Sequence, residues 1–148
     1  MNTQNNHRIL LVDDDAMVLK TVKELLELHG YHVDPVNNPV KALELMQKNS
    51  YASVISDIKM PELSGLELLE KIHDVNQDIP VVLMSAHADL EMAVEAVNKG
   101  AFDFIIKPYQ HEQLIHTVEC AVSEFSLIQA EQHSTALLEE KVFSSAQD

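Results

Sequence analysis

Five side chains able to do chemistry stand where apolar runs end. Asp13 and Asp14 follow Ile9-Leu10-Leu11-Val12, and Asp57 follows Ala52-Ser53-Val54-Ile55-Ser56. Ser85 follows Val81-Val82-Leu83-Met84, and Lys107 follows Phe102 to Ile106. A carboxylate is costly to desolvate, so an acid at the end of a buried-looking run needs a reason. In an open α/β sheet the carboxyl ends of the strands converge on one crevice. Three carboxylates meeting there repel one another, and some take up protons unless they are neutralised. Lys107 supplies one positive charge, and a divalent cation is the natural second. An all-oxygen ligand set with room for water suits Mg²⁺. A hard cation beside an ammonium makes a site for a phosphoryl group.

Such a site requires elements that bring these residues together. Ile9 to Val12 reads as a strand buried on both faces. Val18, Val22, Leu25, Leu26 and Leu28 recur at helical spacing, and Gly30 stops that helix. His32 to Val36 is a weaker strand, and Pro35, which lacks a backbone donor, assigns it to a sheet edge. Asn37-Asn38-Pro39 opens a second helix carried by Val40, Leu43, Leu45 and Met46. Ala52 to Asp57 is the third strand, and Leu63 to Val75 a helix with Leu66, Leu69 and Ile72 inward. Ile79 to Ser85 and Phe102 to Ile106 are the last two strands. A helix from Leu90 to Lys99, closed by Gly100, lies between them, and a final helix starts near His111. Five strand–helix alternations predict a doubly wound parallel α/β sheet with five flanking helices, the last one extended.

The balance of charge narrows the partners. The chain of 148 residues carries 24 acidic and 10 basic side chains, a net charge of -14. That argues against direct nucleic-acid binding, which needs a basic stripe, and against an anionic membrane surface. Cys120 is the single cysteine, so no intrachain disulfide forms, and it reads as a small buried residue of the last helix. The polar start MNTQNNHR is neither a signal peptide nor a membrane span, and the expected location is the cytoplasm. The eight histidines show no ligand pattern: His29 and His32 straddle Gly30, and His111 and His116 are five apart.

The stretches VDDD (12–15), ISDIKMPELSGLELL (55–69), VVLMSAHAD (81–89) and GAFDFIIKPY (100–109) together resemble the receiver domain of bacterial two-component response regulators. The resemblance covers roughly residues 7 to 124. It implies a flavodoxin-like sheet of strand order 2-1-3-4-5. It implies Asp57 as phosphoacceptor, taking a phosphoryl group from a sensor histidine kinase, a phosphotransfer protein or a small donor such as acetyl phosphate. Asp13, Asp14, Asp57 and the backbone carbonyl of Lys59 would hold Mg²⁺. Lys107 would pair with the phosphoryl oxygens, Ser85 would be the switch hydroxyl and Phe104 the switch aromatic. Lys107-Pro108 would be a cis peptide. Lys59 and His87 occupy positions that tune phosphoryl lifetime in this family. Such a protein is a signalling switch that promotes its own phosphorylation and dephosphorylation, not an enzyme with a separate substrate. The face of residues 88–99, the fifth strand and the start of the last helix would carry the signal to an output domain or target protein.

Competing readings lack their residues. A phosphatase with an aspartate nucleophile wants a second Asp two positions on, where this chain has Lys59, and there is no cap segment. A nucleotide switch needs GxxxxGK[ST], which is absent. A flavodoxin needs a hydroxyl-rich phosphate loop where this chain has acids. The remaining alternative is a receiver-like interaction module that works without phosphorylation. Asp13 to Asp15 alone could simply favour a helix N-terminus.

The expected organisation is a receiver domain over 1–124 and a helical extension or linker over 125–148. Leu114, Ala121, Ile128 and Val142 share a seven-residue frame with Val118, Phe125 and Leu138 beside it, interrupted by Thr135 and flanked by Gln132 and Glu139. The frame fits either a fraying helix or a short coiled coil that makes a homodimer through the last helix.

Overall fold

The computed structural model describes residues 7–60, 62–86 and 90–146, with side chains described through Glu131. Five strands, β1 (Arg8–Val12), β2 (His32–Val36), β3 (Ser53–Asp57), β4 (Val81–Ser85) and β5 (Asp103–Ile106), form one parallel sheet of order β2-β1-β3-β4-β5. Five helices alternate with them: α1 (Ala16–Leu28), α2 (Pro39–Lys48), α3 (Gly65–Val75), α4 (Leu90–Asn98) and α5 (His111–Ala146). This is the doubly wound arrangement that the strand–helix alternation predicts, in the strand order that the resemblance implies.

Alternation along the strands sorts the core into two layers. Leu10 and Val12 of β1 face a cluster with Ala42 and Met46 of α2, Leu68, Leu69 and Ile72 of α3, and Ala96 of α4. Ile9 and Leu11 face the other way, onto Val22 and Leu26 of α1 and Leu114, Val118 and Ala121 of α5. Strands β1, β3 and β4 are therefore covered on both sides, which is why β1 and β4 read as apolar runs and β3 admits only small serines beside Val54 and Ile55. Pro35 sits on the edge strand β2 opposite Leu11, where its missing N–H does least harm.

The helix ends are specified locally. Asp15 caps α1 by accepting from the Met17 N–H, and Asn38 caps α2 ahead of Pro39. Ser64 and Glu67 form a reciprocal capping box at the start of α3. Gly30, at φ 93, turns the chain after α1 in a conformation that favours glycine.

Three inward assignments are corrected. Leu28 is 83% exposed, Val40 is 50% exposed, and Cys120 is exposed. Each lies two positions from a buried neighbour on its own helix: Leu26, Ala42 and Val118. Two residues turn an α-helix by about 200°, so the neighbour's burial puts these side chains on the opposite face.

Helix α5 runs 36 residues, about 54 Å. Leu114, Val118 and Ala121 are buried in the domain's own core, and Phe125 packs at its edge. The first half of the seven-residue frame is thus occupied by the sheet, and only positions from Ile128 onward remain for a second chain. The side chains of Gln132, Thr135, Leu138, Glu139 and Val142 lie outside the described residues. No helix among the described residues is long and apolar enough to cross a membrane.

Candidate functional site

The parallel register brings the strand ends level. Val12 stands beside Ser56, Asp57 beside Met84, and Ser85 beside Ile106. Asp13, Asp14, Asp57, Ser85 and Lys107 therefore leave the sheet at one edge, from four different strands. The Ile58 N–H donates to the Met84 carbonyl, which fixes the backbone just after Asp57. The Lys107 N–H donates to the Ser85 carbonyl at 2.7 Å and aligns the end of β5 with that of β4.

The three aspartates each place a carboxylate oxygen within 4.8 Å of the others, as a metal-binding group would. Asp13 is 1% exposed and is oriented by accepting the Asp15 N–H at 2.9 Å. Lys107 Nζ reaches Asp13 Oδ2 at 3.3 Å and Asp57 Oδ1 at 3.7 Å. At an effective dielectric near 20, two carboxylate charges this close repel by about 3 kcal/mol. One ammonium against three carboxylates leaves an excess of negative charge.

The titration behaviour follows from this imbalance. Burial pushes the Asp13 carboxyl above its ordinary value, more than the Asp15 N–H and Lys107 lower it. Burial likewise raises Asp57, with Lys107 pulling down and Asp13 and Asp14 adding to the rise. Burial works against the Lys107 ammonium, but Asp13 and Asp57 outweigh it and hold its pKa above the usual lysine value. A hard cation answers this field. The group offers carboxylate oxygens and no sulfur or nitrogen, so its chemistry fits Mg²⁺ better than a softer metal.

The remaining site residues fall around this cluster. Lys59 is exposed and lines, with Asp14, Ile58, Met60 and Ser64, an open groove of about 480 Å³ beside the acids. Ser85 is 1% exposed at the end of β4. Phe104 is half-buried against the layer that contains α2, α3 and α4. Lys107-Pro108 is cis, as the resemblance implies. His87 lies outside the described residues.

Two further residues contribute: Gly65, which reads from sequence as shaping the loop after Asp57, and Tyr109, to which the sequence assigns no role. A Cβ on Gly65 would sit 2.5 Å from the Asp57 carbonyl oxygen and 2.8 Å from the Ile58 Cα, so α3 starts in backbone contact with the Asp57 loop. The short interval from Asp57 to Gly65 signalled a loop, but only folding shows the contact. Tyr109 is half-buried, and its phenol is raised by burial while Lys107 lowers it and Asp13 raises it. Its place two residues after Lys107 was the available signal.

Comparison with known proteins identifies the family and the fold. Residues 9–119 match the family model described as the response regulator receiver domain. The chain is 42% identical over 109 residues to the two-component response regulator ARR12 of Arabidopsis thaliana, covering 72% of this chain and 18% of that protein. It is 36% identical over 120 residues to the C4-dicarboxylate transport transcriptional regulatory protein DctD of Rhizobium meliloti (strain 1021), covering 81% of this chain and 26% of that protein. The chain thus matches only a fraction of the length of these curated relatives. A solved receiver domain from Clostridium thermocellum superposes with a TM-score of 0.78 at 31% identity, covering 82% of this chain and 98% of that one.

Proposed function

This chain belongs to the response regulator receiver domain family, and from that premise we propose that it is a phosphorylation-driven switch with Asp57 as its phosphoryl acceptor. The observation that carries the reading is the meeting of Asp13, Asp14 and Asp57 with the Lys107 ammonium at one end of the sheet.

In the proposed reaction a carboxylate oxygen of Asp57 forms a bond to the phosphorus of the donor. The bond from phosphorus to the donor's imidazole nitrogen, or to the acyl oxygen of acetyl phosphate, breaks, and its electron pair leaves with the donor. Lys107 balances charge on the transferring oxygens, and Asp13 holds Lys107 in place. Mg²⁺, held by Asp13, Asp14, Asp57 and the Lys59 carbonyl, would supply the remaining neutralisation of phosphoryl charge. The partner donor is a histidine kinase or a phosphotransfer protein.

The acyl phosphate adds charge and acceptor oxygens at one point. In this reading the Ser85 hydroxyl bonds the new phosphoryl group, and Phe104 turns into the space released. The equilibrium so biased is read on the α4–β5–α5 face, toward an output domain or target protein. Its supporting feature is a set of exposed apolar side chains on these elements: Leu90, Val94 and Val97 along α4, and Ile106 of β5. Residues 125–148 are assigned as the link beyond the receiver. Pairing of two copies through α5 is the accompanying proposal, tested by solution mass with and without phosphoryl donor.

Intact mass after incubation with acetyl phosphate and Mg²⁺ tests the central claim. One added phosphoryl group, lost in Asp57→Ala and without Mg²⁺, is the expected result. No added mass, together with no stabilisation by Mg²⁺, would instead support the interaction module that works without phosphorylation.

A further inference from the structure

The peptide group that follows Asp57 is held at both of its ends. Its N–H, on Ile58, donates to the Met84 carbonyl of β4 at 2.9 Å. Its carbonyl oxygen, on Asp57, accepts from the Ser56 hydroxyl at 2.9 Å. Gly65 bears on the same carbonyl: a Cβ there would stand 2.5 Å from its oxygen and 3.1 Å from its carbon. A peptide group is planar and rigid. With both ends fastened it cannot turn about the Asp57 Cα–C bond, so the direction in which the carboxylate leaves the backbone is set.

Ser56 is a polar residue in an apolar place. It is 0% exposed, and its register neighbours are Val12 of β1 and Leu83 of β4. Both belong to the layer shared with α2, α3 and α4. Alanine would fill nearly the same space with no hydroxyl to desolvate, so the desolvation is offset only by the bond the hydroxyl makes. The other serine of β3 supplies a contrast. Ser53 is 0% exposed too, and its hydroxyl donates to the Pro80 carbonyl at 3.1 Å. It stands at the first position of the strand, at the end opposite Asp57.

We propose that Ser56 positions the Asp57 carboxylate for phosphoryl transfer. Its hydroxyl and the Met84 carbonyl lock the Asp57–Ile58 peptide plane between them. The locked plane holds the carboxylate toward Lys107 and within reach of a cation shared with Asp13 and Asp14. Ser56 touches neither the donor nor the cation, and it acts through Asp57. The role in transfer rests on Asp57 as the acceptor. The hold on the carboxylate also governs Mg²⁺ affinity before any transfer takes place.

Ser56→Ala and Ser53→Ala, each made in the full-length chain, test the proposal. Each removes one buried hydroxyl-to-carbonyl hydrogen bond from β3, so a merely structural role predicts the same outcome for both. Urea denaturation should show both variants folded and similarly destabilised. Calorimetric titration should show Mg²⁺ affinity weakened about tenfold in Ser56→Ala and unchanged in Ser53→Ala. Time courses of intact mass with acetyl phosphate at saturating Mg²⁺ should show the rate lowered about tenfold in Ser56→Ala and within twofold of wild type in Ser53→Ala. A Ser56→Ala rate within twofold of the Ser53→Ala rate would overturn the proposal. A wild-type chain that takes no phosphoryl group would overturn the acceptor reading, and the transfer role with it. A loss of Mg²⁺ affinity confined to Ser56→Ala would then still support the hold of Ser56 on the Asp57 carboxylate.

Discussion

Lys107 Nζ stands 3.3 Å from the buried Oδ2 of Asp13, joining residues 94 positions apart in the chain. The contact holds the only ammonium drawn into the acid cluster among the described residues, and it points the same group at Asp57. Lys107→Gln removes the charge while keeping most of the side chain. Phosphorylation of Asp57 by acetyl phosphate should slow about a hundredfold at saturating Mg²⁺, the usual loss for one preorganised charge donor. A time course of intact mass measures it. A rate within twofold of wild type would show that Lys107 does not act on the transferring group.

Asp57→Asn should change how stability depends on pH. The folded-state pKa of Asp57 lies above its ordinary 3.8, chiefly through burial. Between those two values the folded state binds more protons than the unfolded state, so stability falls as pH rises. The variant lacks this loss. Without divalent cations it should be no more stable than wild type below pH 3.8 and progressively more stable above it. The advantage levels off once pH passes the folded-state value, and each tenfold difference in proton affinity between the two states is worth about 1.4 kcal/mol. Added Mg²⁺ should narrow the gap. Urea denaturation at a series of pH values gives the difference directly, and a gap that shrinks as pH rises would contradict it.

Gly65→Ala should cost about 1–3 kcal/mol, as expected when a methyl group is forced into a packed site. The added carbon would stand 2.5 Å from the Asp57 carbonyl oxygen, and backbone cannot swing aside as a side chain can. The Gly65 N–H also donates to the Ile58 carbonyl at 2.7 Å, so the displacement should reach the site. Chemical denaturation measures the first effect, and Mg²⁺ affinity, expected to weaken, the second.

Tyr51→Phe probes the opposite end of the sheet. Tyr51 is 1% exposed, and its hydroxyl donates to Asp34 at 2.6 Å. Burial and the Asp34 carboxylate both hold the phenol protonated, so it remains a donor across the working pH range. Losing a hydrogen bond to a charged acceptor should cost about 1.5–3 kcal/mol in thermal or urea unfolding. Phosphorylation of Asp57 should be unaffected, since Tyr51 lies two residues before β3, beyond the end of the strand opposite Asp57.

The fold was legible because its signals are local. Largely apolar runs marked β1, β3 and β4, Pro35 marked the edge strand, and Asn38-Pro39 marked the start of α2. The errors at Leu28, Val40 and Cys120 share one cause. An apolar residue two places from the inward stripe looks as buried as its neighbour until the helix phase is known, and the packing surface sets that phase.

The acid residues, the serine and the lysine were readable from sequence as strand-end groups. Chain order and residue type alone therefore determined the doubly wound sheet, its carboxyl edge and the chemistry collected there. The tertiary structure decided what depends on distance. It brought Lys107 onto Asp13 and pressed Gly65 against the Asp57 carbonyl. The reason is physical: sequence periodicity reports which face a residue takes, whereas charge coupling, steric contact and metal chelation depend on separations of a few ångströms between elements far apart in the chain.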